Sequence, residues 1–206
     1  FLKLNEYEKA IEDCNNSIKL NHSSAISYHT RGTIYFALKE YKKAIELLYG
    51  IAYTIKMSKK TDYNIEGYFD FVVPPLEGFW WQDGKVGVDY NNKEKFSWIS
   101  IIRMPDFVKE KDLNWAKQIA EKKKKKDFSK VELLEYDEGL CVQCMHIGSY
   151  NDEPKTVESM HEYIEKEGYI LDITDTRYHH EIYLSDVRKV SEDKLKTVIR
   201  HPIKKK

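Results

Sequence analysis

Cysteine is scarce in this chain: Cys14, Cys141 and Cys144 are the three cysteines among 206 residues. An odd, sparse count argues against a disulfide framework and fits a reducing compartment, so a cytoplasmic location is expected. An excess of one charge is also missing, because 34 Lys and Arg balance 34 Asp and Glu. A nucleic-acid protein needs a basic face to displace counterions, so no direct nucleic-acid partner is expected. Apolar stretches such as 47–51 and 98–102 are far shorter than the ~20 residues that cross a bilayer, so no membrane partner is expected either. No leader segment is visible, but the chain begins at Phe1, which weakens that absence. A Gly-rich phosphate loop and a nucleophile elbow are both lacking. Cys141-Val142-Gln143-Cys144 has the spacing of half a zinc site but no second pair, and residues three apart on a strand face opposite ways. No metal and no cofactor are expected.

Aromatic residues are what the chain has in quantity. Fifteen Tyr, eight Phe and four Trp make up 13% of it. Some must fill the core, and the excess of Tyr and Trp suits a pocket with flat walls.

The front of the chain contains a repeat. Leu4-Asn5-Glu6-Tyr7-Glu8-Lys9-Ala10-Ile11-Glu12 returns as Leu38-Lys39-Glu40-Tyr41-Lys42-Lys43-Ala44-Ile45-Glu46, with seven of nine positions identical at an offset of 34. That offset is the tetratricopeptide period. Gly32 and Ala44 would let helices approach closely, and Tyr28, Tyr35 and Tyr41 would fill the groove between them. Residues 1–22 resemble the second helix of one repeat and 24–57 nearly all of another. The Pro that usually ends each repeat is absent, with His22 and Lys56 in its place. About three repeats are usually needed to bury a continuous core. An N-terminal helical repeat hairpin that serves as a packing element is therefore expected over 1–45, and a peptide partner bound through 1–57 is not.

Beyond the repeat, Ala44, Ile45, Leu48, Ile51, Ala52 and Ile55 form a helical stripe within 41–57. Residues 68–81 are aromatic and β-branched, broken by Pro74-Pro75 and Gly78, and read as a bulged or edge strand. Asp83-Gly84 and Asn91-Asn92 mark turns. A second strand is expected over 96–104 and a helix over 111–125. The run Lys122 to Lys126 complements the dipole at the end of that helix, which explains it better than a nucleic-acid patch. A hairpin is expected from 131–136 and 140–147, followed by a helix over 153–167 ending at Gly168. Strands over 179–184 and 197–202, with a helical turn near 191–195, close the chain.

Five separated segments carry a family resemblance. They are Val73-Pro74-Pro75-Leu76-Glu77-Gly78-Phe79-Trp80-Trp81, Ser97-Trp98-Ile99-Ser100-Ile101-Ile102-Arg103-Met104-Pro105, His146-Ile147-Gly148-Ser149-Tyr150, His179-His180-Glu181-Ile182-Tyr183-Leu184-Ser185-Asp186 and Leu195-Lys196-Thr197-Val198-Ile199-Arg200. In this order they resemble the GyrI-like small-molecule-binding domain, over about 46–204. Two departures stand out: Ser149 replaces a usual Pro, and tetratricopeptide-like sequence stands where the family has its first strand. A fusion or a truncated product is the expected origin of that junction. The resemblance implies an α+β fold, a pair of βαββ modules with a ligand cleft between them, the first lacking its opening strand. It assigns 46–206 to that domain. Members serve as drug sensors behind helix-turn-helix domains, of which none is readable here, or stand alone. Some similar stand-alone relatives are hydrolases that open electrophilic cyclopropane rings in DNA-alkylating natural products, a detoxification.

Alternation along 179–184 puts His179, Glu181 and Tyr183 on one face and His180, Ile182 and Leu184 on the other. Ile182 and Leu184 are taken to mark the core side, leaving Glu181 on a cleft floor. A partly desolvated carboxylate there has a raised pKa unless a cation or hydrogen bond compensates it. It would attract cationic aromatic ligands or act as general base on a water. In the hydrolytic reading Glu181 and Tyr150 are the catalytic pair, with Tyr183 as the other candidate donor to the water or oxyanion. Trp80, Trp81, Trp98, Glu77, Tyr183 and His179 are the expected ligand-binding residues. The leading expectation is a binder of small aromatic or apolar molecules, cationic ones included, for sequestration or sensing; the alternative is the hydrolase.

Overall fold

The protein is described by a computed structural model covering residues 2–20, 25–82, 84, 89, 96–174 and 176–206, with side chains throughout except at 2–8 and 25–39. The candidate turns at Asp83 and Asn91-Asn92 lie outside that description, as does the packing at the repeat positions Tyr28, Gly32 and Tyr35. The chain divides into two compact units, 1–49 and 50–206.

Two helices account for the first unit, α1 (Leu2–Leu20) and α2 (Ala25–Lys56), the latter continuing past the division. Helix α2 runs unbroken for 32 residues. The turn that a helix–turn–helix repeat over 24–57 would require is therefore not formed. The apolar residues on both sides of Leu38 keep one helical period, and no Gly or Pro stands there to break it.

The second unit is built on an antiparallel sheet of six strands: β1 (Glu77–Trp81), β2 (Ser97–Ile101), β3 (Cys141–Ile147), β4 (Tyr169–Leu171), β5 (His179–Tyr183) and β6 (Lys196–Lys205). The order is β2-β1-β5-β6-β3, with β4 pairing the far end of β6. Together with α1, α2, α3 (Glu110–Lys124) and α4 (Glu153–Lys166), this makes a mixed α+β chain with four α-helices among the described residues. Helix α3 starts where Asp112 accepts the Lys109 backbone N–H at 2.9 Å, and it ends at Lys125, in the left-handed region with φ 52°. Helix α4 carries Val157, Met160 and Ile164 on one buried stripe, and Val157 and Met160 pack on Ile199 of β6.

Two strand expectations are corrected, and one strand is found that the sequence does not announce. Residues 68–76 form no strand, because the Pro74-Pro75 pair removes two ladder donors, and pairing starts only at Glu77. The 131–136 half of the expected hairpin is not a strand. Leu133 and Leu134 are exposed there, and β3 pairs with β6 instead. Strand β4 has three residues, too few to leave a periodic signal.

Candidate functional site

Strand β5 lies between β1 and β6, so its side chains meet neighbours from both. The register sets Glu181 opposite Gly78 on one side and Ile199 on the other. Gly78 has a structural reason to be glycine. A Cβ there would stand 2.8 Å from Trp80 Nε1 and 3.1 Å from Tyr183 Oη. The β1 ladder is regular through this glycine, so the bulge that the sequence allowed is absent.

With the register intact, Trp80, His179, Glu181 and Tyr183 share one face. Trp80 Nε1–H donates to Tyr183 Oη at 3.1 Å, and the Tyr183 hydroxyl donates to Glu181 Oε2 at 2.6 Å. His179 Nε2 meets Glu181 Oε1 at 2.9 Å. Glu181 is 1% exposed, so this is a carboxylate taken out of water with both oxygens hydrogen-bonded. Burial is the largest single influence on it and pushes its pKa up. The hydrogen bonds of His179 and Tyr183 together outweigh that, and Glu181 is held below the usual carboxylate range.

Ile182 and Leu184 do not mark a single core side, because β5 is covered on both faces, with His180 2% exposed on theirs. His179, Glu181 and Tyr183 are buried, while Leu184 is 48% exposed and Ile182 only half-buried. Apolar character misleads here because the polar face is self-satisfied: paired hydrogen bonds remove most of the cost of burying it.

The other candidates divide between the two faces. Tyr150, in a short helical turn, is buried with its ring edge-on to Tyr183 at 6.3 Å between centroids. Trp98 pairs with Trp80 across β1 and β2 and is half-buried. Glu77 and Trp81 belong to the opposite face. There Glu77 Oε2 lies 2.9 Å from His180 Nε2, and Trp81 packs on Tyr178 at 5.1 Å. His180 Nδ1 in turn meets Glu138 Oε1 at 2.8 Å, and Glu138 pairs with Arg200. Burial works to lower the His180 pKa, but its two carboxylate partners prevail and raise it. Glu77 is thus not brought to Glu181.

Two residues that the sequence does not single out extend the Glu181 group. His201 Nε2 lies 2.6 Å from His179 Nδ1, and His161 Nε2 lies 3.3 Å from His201 Nδ1. The available signal is the alternation Thr197, Ile199, His201 along β6, which puts His201 on the Glu181 face once β5 and β6 are paired. Among the described residues no group of three or more His, Cys, Asp or Glu is arranged to hold a metal ion. None of the described helices is long and apolar enough to cross a membrane.

With its mixed α+β domain built on an antiparallel sheet, the chain belongs to the GyrI-like small molecule binding domain family, whose model matches residues 20–204. Three solved structures from Listeria innocua are similar to it. An uncharacterized conserved protein shares 52% identity with TM-score 0.75, the match covering 80% of each chain. A structure described as a hydrolase shares 49% identity with TM-score 0.72, over 80% of this chain and 79% of that one. Another so described shares 50% identity with TM-score 0.73, over 80% of each. No curated protein matches the chain.

Proposed function

We propose that this protein binds small aromatic or apolar molecules, cationic ones included, with Glu181 as the charge that selects them and Trp80, Trp98, Tyr150 and Tyr183 as the flat surfaces around it. The single observation that carries this reading is the 1% exposed carboxylate of Glu181, hydrogen-bonded at both oxygens and set among aromatic side chains. A negative charge in a water-poor setting attracts a cation far more strongly than one in solvent. Aromatic rings add dispersion and cation–π contact. In this reading Tyr183 is the movable element: turning its hydroxyl away frees Oε2 for a ligand. His179 holds the other oxygen and keeps the carboxylate ionised. Two βαββ modules framing a cleft, with sequestration or sensing as the biological use, complete the proposal. Quenching of tryptophan fluorescence by paired cationic and neutral aromatic compounds tests it, with Glu181→Gln as the comparison.

A second reading has its own support. Two of the similar structures are described as hydrolases at 49% and 50% identity. A Glu181 held ionised by His179, with the Tyr183 hydroxyl beside it, has the parts of a general base with a nearby donor. In that case Glu181 takes a proton from a water that attacks a strained ring carbon, as in an electrophilic cyclopropane-bearing natural product. Tyr183 or Tyr150 steadies the oxyanion. Mass spectrometry of such a compound after incubation distinguishes the two. A product one water heavier with wild type and none with Glu181→Gln supports hydrolysis, and an unchanged compound that still quenches the tryptophans supports binding alone.

A further inference from the structure

Glu181 is buried, yet it stands at the end of a continuous line of ring nitrogens. Oε1 meets His179 Nε2 at 2.9 Å, His179 Nδ1 meets His201 Nε2 at 2.6 Å, and His201 Nδ1 meets His161 Nε2 at 3.3 Å. His179 and His201 are each 1% exposed, while His161, on α4, is half-buried and reaches solvent. Three elements, β5, β6 and α4, thus each supply one ring to a line that starts at the protein surface. Three imidazoles in series are not needed to satisfy one carboxylate oxygen. The arrangement does provide, at every junction, one nitrogen that can give a hydrogen and one that can take it.

We propose that His179, His201 and His161 form a proton conduit that exchanges one proton between Glu181 and solvent. The hydrogen count fixes how it works. With Glu181 ionised and the rings neutral, His179 must donate from Nε2 to Oε1. Its Nδ1 then accepts from His201 Nε2–H, and His201 Nδ1 accepts from His161 Nε2–H. Every hydrogen points inward, and His161 Nδ1 is left as an acceptor. A proton taken up at that Nδ1 moves each of the three bridging hydrogens one bond inward. The result is a protonated Glu181 and three neutral rings carrying hydrogen on Nδ1. The reverse passage discharges the carboxyl group and restores the first arrangement. The rings are neutral in both end states, the Glu181 carboxylate is the one charge on the line in the first and none is left in the second, and one proton has crossed. Burial holds the His201 and His161 pKa values below the usual histidine range, which favours the neutral rings that the line requires.

The conduit serves both readings of the site: it lets the charge of Glu181 adjust to a ligand, and it clears a proton taken from water before another turnover. It does not depend on turnover, so its test does not either. In full-length protein with ¹⁵N-labelled histidine, the ring N–H hydrogens of His179 and His201 are expected to exchange with water rapidly enough for saturation transfer, despite their burial. His161→Gln keeps a hydrogen-bonding group beside His201 but cannot pass a proton on. It is expected to slow that exchange at least about tenfold with the backbone amide spectrum unchanged, because a proton shuttle acts only through a titratable ring. In His161→Ala, added imidazole restores the exchange. Equal exchange in wild type and His161→Gln, or wild-type rings that do not exchange, overturns the conduit. Rapid, His161-dependent exchange in a protein that binds none of the aromatic compounds would leave the conduit standing and refute the proposed function instead.

Discussion

Glu181 and His180 are neighbours on β5, point to opposite faces of the sheet, and titrate in opposite senses. The Glu181 pKa is lowered in the folded protein, so its contribution to stability is present above the unfolded value, about 4.3, and is lost as pH falls through the folded value. His180 is raised, so its contribution is present below the unfolded value, about 6.5, and is lost as pH rises through the folded one. His201, lowered by burial, works the other way: it weakens the fold as pH drops from about 6.5 towards its folded value. Differences between variants and wild type therefore separate these groups better than the wild-type curve. Urea midpoints measured across pH are expected to show that Glu181→Gln flattens the acid limb below about pH 4.3. They are expected to show that His180→Gln removes the decline above about pH 6.5. If His180→Gln instead leaves the alkaline limb unchanged, the ion pairs to Glu77 and Glu138 do not stabilise the fold as described.

Among the elements, β1 and β5 are joined at a glycine that controls the site. Gly78→Ala forces a methyl group against Trp80 Nε1 and Tyr183 Oη, at 2.8 and 3.1 Å. The indole or the phenol has to move, at about 1–3 kcal/mol of stability. The Trp80–Tyr183–Glu181 chain of hydrogen bonds is interrupted with it. Thermal unfolding of the variant should report that loss, and ligand-induced tryptophan quenching should fall. Unchanged melting would mean that β1 and β5 are spaced more widely than described. Elements with a long, clean period are legible in the sequence: α3, α4, β5 and β6 emerge from apolar spacing, caps and flanking turns. Segment 131–136 misleads because Val-Glu-Leu-Leu-Glu-Tyr mimics a half-buried strand. Its anchors are instead Val131, which is buried, and Tyr136, whose ring packs on Phe79 at 4.9 Å. The Glu181–His179–Tyr183 trio is legible because it lies within one strand. His201 and His161 are not, since their partners are 22 and 40 residues away in sequence and only strand pairing and helix docking reveal them.

For the molecule as a whole, the GyrI-like match over 20–204 makes small-molecule binding the family property, and the proposed function gives that property a chemical preference through the buried Glu181 carboxylate. The chain divides into two units within α2, and Trp80, Trp98, Tyr150, His179 and Tyr183, the residues that the proposal sets around Glu181, all belong to the second. The measurement that tests it most directly is the affinity of a quaternary-ammonium aromatic compound and of its neutral isostere for wild type and Glu181→Gln, read by tryptophan quenching. The account predicts that wild type prefers the cation by at least about tenfold, or 1.4 kcal/mol, and that the preference vanishes in the variant while the neutral compound binds nearly as before. Equal affinity of the two compounds for wild type, or a preference that survives Glu181→Gln, would contradict it.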